Sequence, residues 1–129
     1  MTQKIHCACT IQAQEFTQPY LFLQMKSHNI FTGIPQNLDQ ELFEFLAGND
    51  KVVIEKIISK GQKSPESGWY DQKKNEWIMV LKGKAELSFE DGTSVHLNEG
   101  DFITIPAHKK HKVSWTDPDN ETIWLAVHY

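Results

Sequence analysis

Glu76-Trp-Ile-Met-Val-Leu-Lys-Gly83, then Gly100-Asp101, then Pro106-Ala-His-Lys-Lys-His111: the fold of this chain is decided by how that stretch is read. If residues 77–81 form a strand entered at Glu76, side chains alternate across it. Glu76, Ile78 and Val80 then share one face, with a carboxylate at the end of an apolar row. An isolated buried charge is costly, so such a carboxylate must meet a metal, a cation or hydrogen-bond donors. Pro106 has no N–H to give to a ladder and therefore ends the strand over residues 101–105. The following turn returns the chain so that His111 opens the next strand, and hairpins of one barrel bring Glu76 and His111 together.

Outward from this stretch the punctuation is that of an all-β domain. Residues 52–59 are a β-branched run ended by Gly61, and residues 77–81 are another, ended by Gly83. Ala85, Leu87 and Phe89 alternate with Lys84, Glu86 and Ser88. Asp91-Gly92 then predicts a tight type I′ hairpin, in which both central residues take positive φ. Residues 94–97, 101–105, 111–115 and 123–128 continue the series, and short strands spaced near ten residues argue for a sandwich or barrel. Upstream, a helix is predicted over residues 38–47. Asn37 and Gln40 mimic a capping box, Leu38, Leu42, Phe45 and Leu46 form one stripe, and Gly48 ends it in a left-handed cap.

The quoted residues resemble the two-part signature of the cupin family. Its first motif runs histidine, any residue, histidine, three or four residues, glutamate, six residues, glycine. Its second runs glycine, five residues, proline, any residue, glycine, two residues, histidine. Glu76 and Gly83 match the end of the first, and Gly100-Asp101, Pro106 and His111 match the second. The resemblance implies a single double-stranded β-helix, or jelly-roll barrel, with one short N-terminal helix. The division expected is 1–24 as an N-terminal extension, 25–50 as a lead segment with the helix, and 51–129 as the cupin β-barrel. It also implies a metal held by the motif histidines and glutamate, a divalent transition metal such as Zn, Fe, Mn or Ni.

The chain departs from the family pattern where that metal would bind. The two first-motif histidine positions fall on Tyr70 and Gln72, and the glycine before the last histidine is His108. Glu76 and His111 survive as ligands. Gln72 is a weak replacement for imidazole, and His108, three residues before His111 across a turn, is a further candidate. Asp71 would turn inward if its strand carried a one-residue bulge. Trp69, Tyr70, Trp115 and His128 are candidate pocket residues, because aromatic side chains give a small-molecule site large contact area. Trp77 and Trp124 are read as core.

Composition narrows the remaining choices. Apolar and charged fractions of 40% and 23% fit a globular domain, and no apolar run approaches the ~20 residues of a membrane helix. The net charge is −4, and Lys73, Lys74, Lys109, Lys110 and Lys112 lie among acidic neighbours, which argues against nucleic acid. The first residues lack the continuous apolar core of a secretory signal, and Cys7 and Cys9 read as ordinary thiols, so a cytoplasmic protein is expected. A homodimer with a small-molecule pocket at Glu76 and His111 is expected, and three functions stay open: a metal-binding cupin acting on a small oxygenated molecule, a metal-free barrel holding a small ligand, and a structural dimer with a filled interior. Residues 25–35, beginning Met25-Lys-Ser-His, read like a natural domain start. A protein beginning at Met25 is expected to fold with one cooperative thermal transition, and a truncated chain that fails to fold overturns the reading of 1–24 as an extension.

Overall fold

Alternating side chains become eight strands in the computed structural model, which describes residues 25–129. The segment 1–24, with Cys7 and Cys9, lies outside the described residues. The strands are β1 (Leu42–Gly48), β2 (Val53–Ser59), β3 (Glu76–Lys82), β4 (Ala85–Phe89), β5 (Ser94–Leu97), β6 (Phe102–Ile105), β7 (His111–Thr116) and β8 (Thr122–His128). They form two antiparallel sheets, one of five strands in the order β1-β2-β8-β3-β6 and one of three in the order β5-β4-β7. The result is the all-β jelly-roll barrel expected from the signature.

β3 shows the period-two rule directly. Glu76, Ile78 and Val80 are buried, and Trp77, Met79 and Leu81 between them are half-buried on the outer face. The inward residues Ile57, Ile78, Val80, Leu87, Leu97, Ile105 and Trp124 make one core between the sheets. Each large apolar side chain so enclosed contributes about 1.5–3 kcal/mol relative to exposure. Trp124 is buried without a stranded polar atom, because its indole N–H donates to Ser59 Oγ at 3.1 Å. Trp77, read as core from the sequence, instead lies on the outer face with its ring centroid 5.4 Å from that of Phe102.

The helix expected over residues 38–47 is not formed; Leu42–Gly48 is β1, paired with β2 from Leu42↔Ile58 to Gly48↔Val53. Two periods coexist in this segment. Leu42, Phe45 and Leu46 fit helical spacing, while Phe43 and Phe45 fit a strand, and the open edge of β2 decides between them. A register shift between Phe45 and Ala47 leaves Leu46 unpaired and 38% exposed. Upstream, the Leu38 carbonyl accepts from Gln62 Nε2 at 3.0 Å, so it is bonded across the molecule instead of within a helix. Lys56 ties down the lead segment as well, donating to the carbonyls of Ile30 and Thr32 and pairing with Glu44 at 3.0 Å. Among the described residues there is no α-helix, and hence none long and apolar enough to cross a membrane.

The β4–β5 turn also differs in kind from the type I′ expectation. Gly92 has φ +90° and Asp91 is not at positive φ; Gly92 N–H donates to Phe89 O at 3.0 Å, and Phe89 N–H to Thr93 O. A three-residue loop closed by one left-handed glycine satisfies the hairpin, and Asp91 Oδ1 secures it by accepting from Thr93 N–H at 3.0 Å. Gly83 is under tighter constraint. At φ +89°, an added Cβ would lie 2.6 Å from Glu121 O and 2.7 Å from Thr122 Cα, so both conformation and space exclude a side chain. Gly83→Ala is expected to lower stability by about 2–3 kcal/mol in urea unfolding, against about 1 kcal/mol for Gly92→Ala, where nothing lies within 4 Å.

Candidate functional site

Four strands deliver ionisable side chains to one end of the barrel interior. Glu55 comes from β2, Glu76 from the start of β3, His111 from the start of β7 and His128 from the end of β8. Pairing fixes their proximity, since Glu76 faces His128 across the β3–β8 ladder and Val53 brings β2 alongside the same residue. They form a buried row. His128 Nε2 lies 2.9 Å from Glu55 Oε1 and 3.9 Å from Glu76 Oε2, and His111 Nε2 lies 3.4 Å from Glu76 Oε1. All four are at most 4% exposed.

Hydrogen bonding orients both rings. His111 Nδ1 sits 2.8 Å from the Lys109 carbonyl, a bond in which Nδ1–H donates, and Nε2 is thereby turned toward Glu76. Burial pushes the His111 pKa down, but the Glu76 contact, the Lys109 carbonyl and the Glu76 charge outweigh it and the net direction is upward. His128 follows the same logic: burial lowers it, and the bond to Glu55 with the charges of Glu76 and Glu55 raises it overall. Imidazoles alternate with carboxylates along the row, so each ring has a carboxylate beside it. Glu55 Oε2 has no hydrogen-bond partner, and neither does Gln72 Nε2.

The segment before β3 closes this end of the barrel. Tyr70 N–H donates to His111 O at 2.8 Å, His111 N–H donates to Tyr70 O, and His108 N–H donates to Gln72 O at 2.8 Å. Residues 69–75 therefore run antiparallel to residues 107–111. Alternation along the segment points Tyr70 and Gln72 inward, where both are buried, and Asp71 outward. The bulge that would have turned Asp71 inward is not present. His108, the replacement for the motif glycine, takes φ +63°, the left-handed conformation that glycine would adopt without strain. Its imidazole leaves the barrel and meets Asp71 Oδ1 at 2.7 Å, with both side chains exposed, so His108 does not join Glu76 and His111.

The interior cavity has a volume of about 30 Å3. Its polar lining is Glu41, Tyr70, Glu76 and His111, and its apolar walls include Phe43, Ile57, Leu87 and Trp124. Burial raises the Tyr70 phenol above its ordinary value, a hydrogen bond with Ser64 opposes this, and the charges of Glu41 and Glu76 add to the rise. Trp69 and Trp115 are not part of the lining. Lys112 Nζ lies 4.5 Å from the Trp69 ring centroid. Trp115 is 41% exposed, because the β4–β7 ladder jumps from Glu86↔Trp115 to Leu87↔Val113, and this bulge turns Trp115 out of the face shared by His111 and Val113.

Sequence reasoning missed Glu55 and Glu41. Glu55 carried a signal, a charge on the same strand parity as the apolar Val53 and Ile57. Glu41 carried none. It lies in the segment read as helical, and only the pairing of β1 carries it to the cavity, where Ser59 Oγ donates to it at 3.4 Å. A wider depression of about 440 Å3 near the far end of β3 mixes Lys82 and Lys84 with Glu99, Asp117 and Glu121; of the motif residues it takes in only Gly83, and neither Glu76 nor His111 lines it.

The sequence matches the family model of the cupin domain over residues 56–128, and the chain belongs to the cupin family. A crystal structure from Ralstonia eutropha, provisionally described as a mannose-6-phosphate isomerase, is 40% identical, covers 80% of this chain and 96% of its own, and superposes with a TM-score of 0.77. A cupin superfamily protein from Desulfitobacterium hafniense is 22% identical over 74% of this chain and 82% of its own, with a TM-score of 0.61. A Streptococcus pyogenes protein of unknown function is 21% identical over 82% and 88%, with a TM-score of 0.64. These last two are similar in fold. No curated protein sequence matches the chain.

The donors do not fit the metal site that the family signature implies. Tyr70 and Gln72 replace its two histidines, His108 faces solvent, and His128 is engaged by Glu55. Among the described residues no group of three or more His, Cys, Asp and Glu side chains is arranged to hold an ion. What the arrangement offers is a desolvated carboxylate–imidazole pair beside a phenol, able to give, take or share a proton with a bound group. Its pH dependence follows from the raised histidines. Their stabilisation is fully present below the unfolded value of 6.5 and is lost as pH rises through the higher folded values. Melting temperature is therefore expected to fall as pH rises above about 6.5. Glu55→Gln, which leaves His128 without its charged partner, is expected to lower stability at pH 6 by about 3–5 kcal/mol and to flatten that decline.

Proposed function

We propose that this cupin binds a small molecule inside its barrel through the Glu76–His111 pair, without a metal centre. The observation that carries the reading is that this buried pair, under Tyr70, is the polar end of an otherwise apolar cavity. A buried ionic pair is no more stabilising than apolar side chains of similar volume, so its presence beside a cavity is more readily explained by a ligand than by packing. The polar group of the ligand meets Glu76 and His111, and its apolar part lies against Phe43, Ile57 and Trp124.

The description of the Ralstonia protein supports one part of this and not another. Isomerisation of a sugar moves protons between neighbouring carbons, a step for which a carboxylate–imidazole pair is suited. A hexose phosphate is a poor match to a cavity of about 30 Å3 with no lysine among its described lining residues. Proton transfer on a small substrate is thus within reach of the site, and the phosphorylated sugar is not carried over.

Elemental analysis of protein purified without chelators separates this reading from a metal-binding one. Metal content well below one ion per chain is expected in the wild type and in Glu76→Gln and His111→Ala, with no rise in melting temperature on adding Zn2+ or Mn2+. A thermal-shift screen of small molecules should then yield compounds that stabilise the wild type, by about 2.7 kcal/mol at a hundred times Kd, and lose their effect in Glu76→Gln. Stoichiometric metal in the wild type that disappears from both variants overturns the proposal.

A further inference from the structure

Glu76 is shared between two imidazoles. Its Oε1 lies 3.4 Å from His111 Nε2 and its Oε2 lies 3.9 Å from His128 Nε2, so each oxygen faces one ring. The two rings differ in position. His111 lines the cavity, whereas neither His128 nor Glu55 is among the described lining residues. Behind Glu76, Glu55 Oε1 holds His128 Nε2 at 2.9 Å, and both side chains are at most 2% exposed. A buried carboxylate from β2 and a buried imidazole from β8 thus stand one layer back from any molecule that meets Glu76 and His111.

Charge links the two rings. A proton on His128 places a cation beside the carboxylate that also serves His111, and it therefore opposes a proton on His111. His128 keeps its own proton the more firmly. It has the shorter contact, and Glu55 and Glu76 both favour its charged form, where Glu76 is the one carboxylate that does so for His111. The other described ionisable groups near the row are Lys74, which opposes the His128 proton, and Tyr70 and Glu41, which line the cavity with His111.

We propose that Glu55 and His128 are a positioning pair for the Glu76–His111 site: acting only through Glu76, they set how readily His111 takes up a proton, and hence the pH range in which the site can donate one to a bound molecule. This rests on the reading of Glu76 and His111 as the pair that meets the ligand, and adds what regulates it. Glu55 fixes the charge on His128, that charge holds one oxygen of Glu76, and the other oxygen is left to His111. The two rings titrate as a coupled unit in separate steps, His111 first. Because His111 Nδ1–H is held by the Lys109 carbonyl, the proton it releases is the one on Nε2, toward Glu76.

The ring Hε1 resonances of His111 and His128, assigned with His111→Gln and His128→Gln, are followed against pH in the full-length protein. No ligand is added, so the outcome does not depend on finding one. In the wild type the His111 midpoint is expected below that of His128. His128→Gln and Glu55→Gln are each expected to raise the His111 midpoint by about one pH unit, since each removes the neighbouring cation. A merely loosened interior gives the opposite sign, because loss of the Glu76 contact returns His111 toward 6.5. The double variant Glu55→Leu with His128→Phe replaces the pair by apolar side chains and is expected to stay folded, as removal of a buried ionic pair as a unit is tolerated where breaking it is not. The same rise is expected there. A His111 midpoint that stays in place or falls in the folded variants overturns this inference, as does a wild type in which His128 releases its proton first. Either result leaves the pocket reading in place, which the small-molecule screen tests by itself.

Discussion

The need to balance charge inside a closed barrel governs this structure. Glu55, His128, Glu76 and His111 come from four different strands, and no one of them could be buried without its neighbours. The ladders hold the row in register: β2 and β3 both pair with β8, and the Tyr70–His111 bridge closes the side that β7 leaves open. A buried ionic row of this kind is not required for stability. Apolar side chains of similar volume would do as well or better, and Glu55 Oε2 is left without a hydrogen bond even in the finished fold.

The barrel was legible in the sequence because strand period and turn residues are local. Glu76, Ile78 and Val80 are buried together, and Ser94–Leu97 spans the range expected for it. The misreadings come from places where a distant partner decides. Residues 42–46 satisfy helical and strand periods at once, and only the unpaired edge of β2 selects the strand. Trp115 falls on the inward parity of its strand until a bulge against β4 reverses it. The Asp91-Gly92 pair signals a hairpin correctly but not the kind of turn, because the number of loop residues is set by which flanking residues close the ladder. Within the site, the motif located Glu76 and His111. Glu55 was signalled only as a charge on an apolar parity, and a reading of one strand by itself does not say that His128 lies opposite.

The departures from the family pattern act together. With Tyr70 and Gln72 in the histidine positions, the interior loses two donors suited to a transition metal, and what remains are groups that hydrogen-bond. Replacement of the motif glycine by His108 keeps the left-handed backbone that the turn demands while placing an imidazole on the outside, where Asp71 meets it. That contact and the Tyr70–His111 bridge fasten the same two segments, residues 69–75 and 107–111, from the outer and inner sides. The substitutions that dismantle a metal site thus also help to seal the end of the barrel above Glu76.

The cavity wall is drawn from two parts of the chain. Glu76 and His111 lie within the 56–128 match to the cupin domain, whereas Glu41 and Phe43, which complete the cavity, come from residues before it. Phe43 is fixed by the β1–β2 ladder, opposite Ile57, while the lead segment before it is held by side-chain contacts of Lys56, Gln62 and Ser59. Because Phe45 faces Glu55 in the same ladder that places Phe43 opposite Ile57, the strand that completes the cavity wall also helps to hold the buried row in register.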